Sequence, residues 1–71
     1  MALEAIISHP QAHRVVLEER SEGIYVFAFR KGEARPYQDH LQDNWVFAKE
    51  QALHDFGVTE AMWNEIPDTG L

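Results

Sequence analysis

The chain predicts an α+β fold: a small antiparallel sheet of two or three strands, ordered β-β-β-α, packed on one amphipathic helix and followed by a short C-terminal helical turn. Three observations carry this expectation. Residues 24–30, IYVFAFR, are dense in β-branched and aromatic side chains, which suit a pleated, half-buried surface. Residues 13–20, HRVVLEER, alternate in polarity and reach that segment through Ser21-Glu22-Gly23, a connection so short that it demands an antiparallel hairpin. Residues 39–58 then carry a start signal, an apolar stripe and a stop signal for a helix.

In chain order, residues 3–8 come first. Met-Ala-Leu-Glu-Ala has helical propensity, but a lone hairpin under one helix is marginal, so a third strand, turned at His9-Pro10-Gln11, is expected. In 13–20, Val15 and Leu17 point one way while Arg14, Val16, Glu18 and Arg20 point the other. In 24–30, Tyr25, Phe27 and Phe29 alternate with Ile24, Val26 and Ala28. Both sides are apolar, which describes a central strand covered twice. The helix covers one side; the C-terminal turn, a partner chain or a ligand must cover the other. Residues 31–38, with Gly32 and Pro36, form a loop.

Asp39 serves as the N-cap of the helix, with Gln42 reaching back as in a capping box. Leu41, Trp45, Ala48, Ala52 and Phe56 fall in one stripe, with Val46 and Leu53 beside it. Gly57 supplies the left-handed stop, after which Val58 folds back on Leu53. Thr59 caps a short second helix with Glu60 in its first turn. Trp63 and Ile66 return to the core, and Pro67 ends the element.

Residues 1–71 read as one domain, whose core supplies only about 3–5 kcal/mol of net stability unless something staples it. There is no cysteine, so disulfides, thiol nucleophiles and thiolate ligands are absent; the missing staple favours a homodimer. No apolar run approaches the roughly 18 residues of a membrane span, and MALEAII is too short and carries Glu4 to be a signal peptide. A soluble cytoplasmic protein without membrane contact is expected. The net charge of −6 belongs to residues 37–71, where seven carboxylates face Lys49 alone, while residues 1–36 balance. Such acidity repels phosphate backbones and attracts basic partners; it also serves plain solubility.

An enzyme is not expected. No histidine pair stands at i,i+4 on an expected helix, there is no His-Glu-x-x-His motif, and no glycine-rich phosphate loop is present. On a continuous helix His40 and His54 would stand about 21 Å apart, too far to share a metal. Asp39, His40 and Asp43 at the expected helix start are explained by capping and the helix dipole. No catalytic residue, cofactor or metal is assigned.

Two binding surfaces remain. On the outer side of the helix, Asp43, Phe47, Glu50 and His54 share one row opposite the buried stripe. A single exposed aromatic is ordinary, but an aromatic ringed by acids also describes an anchor for a basic protein partner. The alternative surface is the strand face of Tyr25, Phe27 and Phe29 with Arg30, which would stack on single-stranded nucleic acid. That segment loosely resembles an RNA-recognition-motif strand and lacks the motif's glycine between the first two aromatics. The acidic balance opposes this second reading, and the same aromatics read equally as core. A third reading, an immunity-type or regulatory protein whose carboxylates mimic nucleic acid, rests on acidity alone.

The segments DHLQD, AKEQA, FGV and W-x-x-I-P-D, with H-P…R-V-V-L-E-E-R…G-x-Y-V-F before them, resemble a family of short uncharacterised bacterial proteins of this length. No activity is assigned to that family, so the resemblance implies no catalytic residue; it implies a stand-alone cytoplasmic protein. The helix register itself is testable: Phe47→Ala should change unfolding free energy by less than about 0.5 kcal/mol, measured by urea denaturation, and a larger loss would place Phe47 in the core.

Overall fold

A computed structural model describes residues 1–71 as a five-stranded antiparallel sheet with one helix. The strands are β1 (Ala2–Ile6), β2 (Arg14–Arg20), β3 (Gly23–Phe29), β4 (Gln38–Gln42) and β5 (Asn64–Ile66), and the helix α1 spans Trp45–Phe56. The sheet order is β4-β3-β2-β1-β5. β1 to β4 form a meander; α1 then crosses one face, and a 3-10 turn at Glu60–Met62 delivers β5 to the free edge of β1. No helix is long and apolar enough to cross a membrane.

The expected α+β class holds, but two or three strands undercount the sheet. Strand character at residues 3–8 is realised in β1, and the hairpin joins Arg20 to Gly23. The first correction concerns residues 38–42. They are extended and pair with β3, Gln38 facing Ala28 and Gln42 facing Ile24. Asp39 is therefore not the helix cap, Gln42 closes no capping box, and Leu41 lies on the sheet rather than on the helix stripe. Five residues with one apolar side chain carry little strand propensity, but the free edge of β3 offers unpaired amides and carbonyls that any extended segment satisfies. A polar edge strand also discourages pairing with other chains.

The helix starts five residues later than expected. Asn44 is the N-cap, its side-chain oxygen accepting from the Phe47 amide at 2.9 Å. From Trp45 on, the expected register stands: Ala48, Ala52 and Phe56 are buried and Trp45 packs on the core. Two alanines at the contact allow the helix backbone to approach the sheet closely. Val46 and Leu53, expected beside this stripe, instead face solvent. Gly57 takes the left-handed conformation at φ 71°; its amide donates to Leu53 O, and the Val58 amide donates to Ala52 O. Val58 is buried in the core cluster. The second correction is β5: after the short turn that Thr59 introduces, residues 64–66 pair with β1, a strand too brief to show a pattern. Trp63 and Ile66 do return to the core, on opposite faces of the sheet.

Cross-strand neighbours share a face, so the sheet has two apolar sides. Leu3, Ala5, Val15, Leu17, Ile24, Val26 and Ala28 lie on the side that carries the helix and the 3-10 turn. Ala2, Val16, Phe27 and Phe29 form a second, smaller cluster on the other side.

One residue limits where β4 sits. Gly23 has φ 148°, and a Cβ there would lie 2.4 Å from the carbonyl oxygen of Gln42. Gly23→Ala should cost about 2–4 kcal/mol through strain and displacement of β4. Urea unfolding followed by Trp45 and Trp63 fluorescence reads this; a loss under about 0.5 kcal/mol would show that the close approach of β4 to Gly23 is wrong.

Candidate functional site

The outer side of α1 follows from its inner side. With Ala48, Ala52 and Phe56 turned to the sheet, a 100° step per residue sends Phe47, Glu50 and His54 outward together. All three are exposed, and Asp43 is exposed in the turn before the cap. Asp43 is outside the helix, so it borders the row rather than belonging to it. Phe47 is 47% exposed, and beside it Val46 and Leu53 are 62% and 53% exposed. These last two were missed as surface residues. The signal was present in their spacing of seven, which defines a second apolar stripe on the same helix.

This stripe borders a shallow groove of about 450 Å³ between the helix and the chain that follows it. Val46, Leu53, Val58 and Trp63 supply its apolar surface. Glu50 and Glu60 stand at its border, and Lys49 bonds Glu60 at 2.7 Å across it. At the other side of the row, a chain of polar contacts ties the helix to β4. Gln42 donates to Gln51 at 2.6 Å, Gln51 donates to Asp55 at 3.3 Å, and His54 Nδ1 lies 3.0 Å from Asp55. The hydrogen bond from His54 holds the Asp55 carboxyl below its ordinary value against partial burial, with help from Gln51 and His40. His40 thus lies near Asp55 from its place in β4, and the separation expected along a continuous helix does not apply.

The aromatic face of β3 is differently placed. Phe27 and Phe29 are 5% and 1% exposed, and only Tyr25 is partly open. Tyr25 and Phe27 stack with rings 5.6 Å apart. The Arg14 guanidinium lies 4.0 Å above Phe29 and is itself paired with Glu4. Arg30 is exposed, but it sits over Tyr37 in another cleft, so the structure does not bring it together with the three aromatics.

The C-terminal residues cross this face and are tied down by Glu18, which is 1% exposed. Glu18 accepts from the Thr69 amide at 2.8 Å and hydroxyl at 2.5 Å, and from Arg20 at 2.5 Å. Arg20 also donates to the backbone oxygen of Leu71. Gly70 and Leu71 share a cleft with Phe27, and Asp68 meets the Met1 amino group at 2.8 Å. Burial alone would raise the Glu18 carboxyl, but the two Thr69 bonds and the Arg20 cation together lower it. Residues 67–71 are therefore what covers the second side of the sheet; the C-terminal turn expected there packs instead on the helix side, through Met62 and Trp63.

Neither family models, curated protein sequences nor solved structures yield a match to this chain.

A depressed folded-state pKa stabilises the fold above the unfolded value and loses that contribution as pH falls through the folded one. Glu18→Gln should cost about 1–3 kcal/mol at neutral pH, the scale of hydrogen bonds to a charged group. The gap between the two proteins should narrow as pH drops below the ordinary carboxyl value of 4.5. Urea midpoints across that range test this, and a gap independent of pH would show that Glu18 is not ionised in the fold.

Proposed function

We propose that this protein is a non-catalytic protein-binding module of the cytoplasm, and that the outer side of α1 takes a basic, partly apolar segment of a partner protein. The carrying observation is the gathering of Val46, Phe47 and Leu53 on one exposed helix side. Most large exposed apolar residues on a small protein are scattered; three within eight positions of one helix form a patch that water solvates poorly. Such a patch, bordered by charge, has the make-up of a recognition surface, with the aromatic as anchor.

The partner's character follows from the border. Glu50 and Asp43 border the apolar residues without a cationic partner, Glu60 is paired with Lys49, and residues 37–71 hold all of the net charge of −6. Ion pairs at this rim would speed encounter and reject acidic partners, while the apolar centre would set the lifetime of the complex. His54 is held by Asp55 at the far end of the row. A second copy of the chain carries the same acidic border and would meet it with like charge, which favours a different protein over a homodimer on this face.

Nothing in the geometry favours the nucleic-acid alternative. Stacking of bases requires open ring faces, and Phe27 and Phe29 are buried.

A photo-crosslinking residue at position 47, used in cells, should join the chain to a protein with a basic contact segment. Val46→Asp with Leu53→Asp should abolish the adduct while leaving unfolding free energy within about 0.5 kcal/mol. An adduct only with a second copy of the chain, or none beyond that of a residue placed at Glu22, would contradict the proposal.

A further inference from the structure

The cations of this acidic chain divide into two sets. Arg14, Arg20 and Lys49 are each paired with a carboxylate. Arg30, Lys31 and Arg35 make no ion pair and no side-chain hydrogen bond, and all lie in the connection between β3 and β4. Glu33, the acid of that connection, is exposed and pairs with none of them. In a protein with twelve carboxylates and six Lys or Arg residues, three cations left without partners at one end of the sheet call for a reason.

Arg30 and Lys31 line a cleft of about 640 Å³ between this connection and the one joining β1 to β2. Ser8, His9, His13 and Tyr37 line it as well, and no Asp or Glu does. Its side chains are set for donation. The His9 Nδ1 accepts from the Gln11 amide at 3.1 Å, so a neutral ring carries its proton on Nε2, as a donor without a protein partner. His9 is held in place edge-on against Phe56, with centroids 5.4 Å apart. The Arg30 guanidinium carbon lies 4.1 Å from the centre of the Tyr37 ring, and its N–H groups make no hydrogen bond within the chain. The Tyr37 hydroxyl is buried and has no partner, so the open donors of the cleft are those of Ser8, His9, Arg30 and Lys31.

We infer that this cleft binds the phosphate group of a small phosphorylated molecule. Two positive charges without carboxylate partners match a dianion, and the planar fork of arginine matches phosphate oxygens in two-point contact. The surrounding hydroxyl and imidazole groups supply the further donors that a phosphate needs, and the volume exceeds that of the bare anion, leaving room for the group that carries it. The cleft is formed by the β1–β2 and β3–β4 connections, away from the outer side of α1, so this site stands independently of the protein-binding proposal.

The test is an amide NMR titration with inorganic pyrophosphate at fixed ionic strength, with acetate as the monoanion control. Pyrophosphate should shift residues 8–13 and 30–37 with a dissociation constant below about 1 mM, and acetate should not. Lys31→Gln, an exposed change, should weaken binding about tenfold, the loss of one charge-assisted hydrogen bond. Arg30→Gln with Lys31→Gln should remove it, while Lys49→Gln should leave it unchanged. The inference is overturned if pyrophosphate shifts no residue of the cleft, if acetate shifts them equally, or if Lys49→Gln weakens binding as much as Lys31→Gln does.

Discussion

The fold turns on a buried carboxylate. A sheet with two apolar sides and one helix has a side too many, and the chain solves this with five residues rather than a second helix. Those residues are not sticky: Pro67, Asp68, Thr69, Gly70 and Leu71 bring little apolar area. What holds them is Glu18, placed on the aromatic side by the alternation of β2 and opposite Tyr25 in β3. An ionised carboxylate removed from water is costly unless several donors satisfy it. Thr69 supplies two and Arg20 the charge. The requirement works in both directions: the tail needs Glu18 as its anchor, and Glu18 needs the tail to remain charged where it is.

That closure shapes what the surface has to offer. Once Phe27 and Phe29 are covered, the aromatic content of the central strand serves the core, and the open apolar residues of the helix become the distinctive feature. α1 is apolar on two sides, of unequal kind. Ala48 and Ala52 face the sheet, where close approach matters, together with Trp45 and Phe56, while Val46, Phe47 and Leu53 face water. Charge is divided as well: the carboxylates are concentrated from β4 onward, and the unpaired cations in the connection just before it.

The sequence disclosed the elements whose partners are local. β2 and β3 announce themselves through alternation and a short turn, and α1 through Trp45, Ala48, Ala52 and Phe56 with Gly57 behind them. It concealed the elements that exist through tertiary pairing. Asp39 and Asn44 are equally good caps in isolation; what decides between them is that β3 has a free edge, which residues 38–42 fill. Leu41 fits the helix stripe by spacing and is lost from it for the same reason. β5 has three residues and no periodicity of its own. For the surfaces, Phe47 was legible because it lies opposite Ala48 and Ala52. Val46 and Leu53 were misassigned despite their spacing of seven, since with Leu41 taken into the stripe they fell beside its expected centre. The cleft of Arg30 and Lys31 was not legible either, because it joins two connections that are distant in sequence.

The most direct test of this account is amide hydrogen exchange at Thr69. If its N–H is bonded to a buried Glu18 carboxylate, exchange should be slowed by at least about two orders of magnitude relative to an open chain, despite its place in an exposed, irregular segment near the end of the chain. Exchange at the open-chain rate would mean that the tail does not close the aromatic side, and that Phe27 and Phe29 are available to a ligand after all.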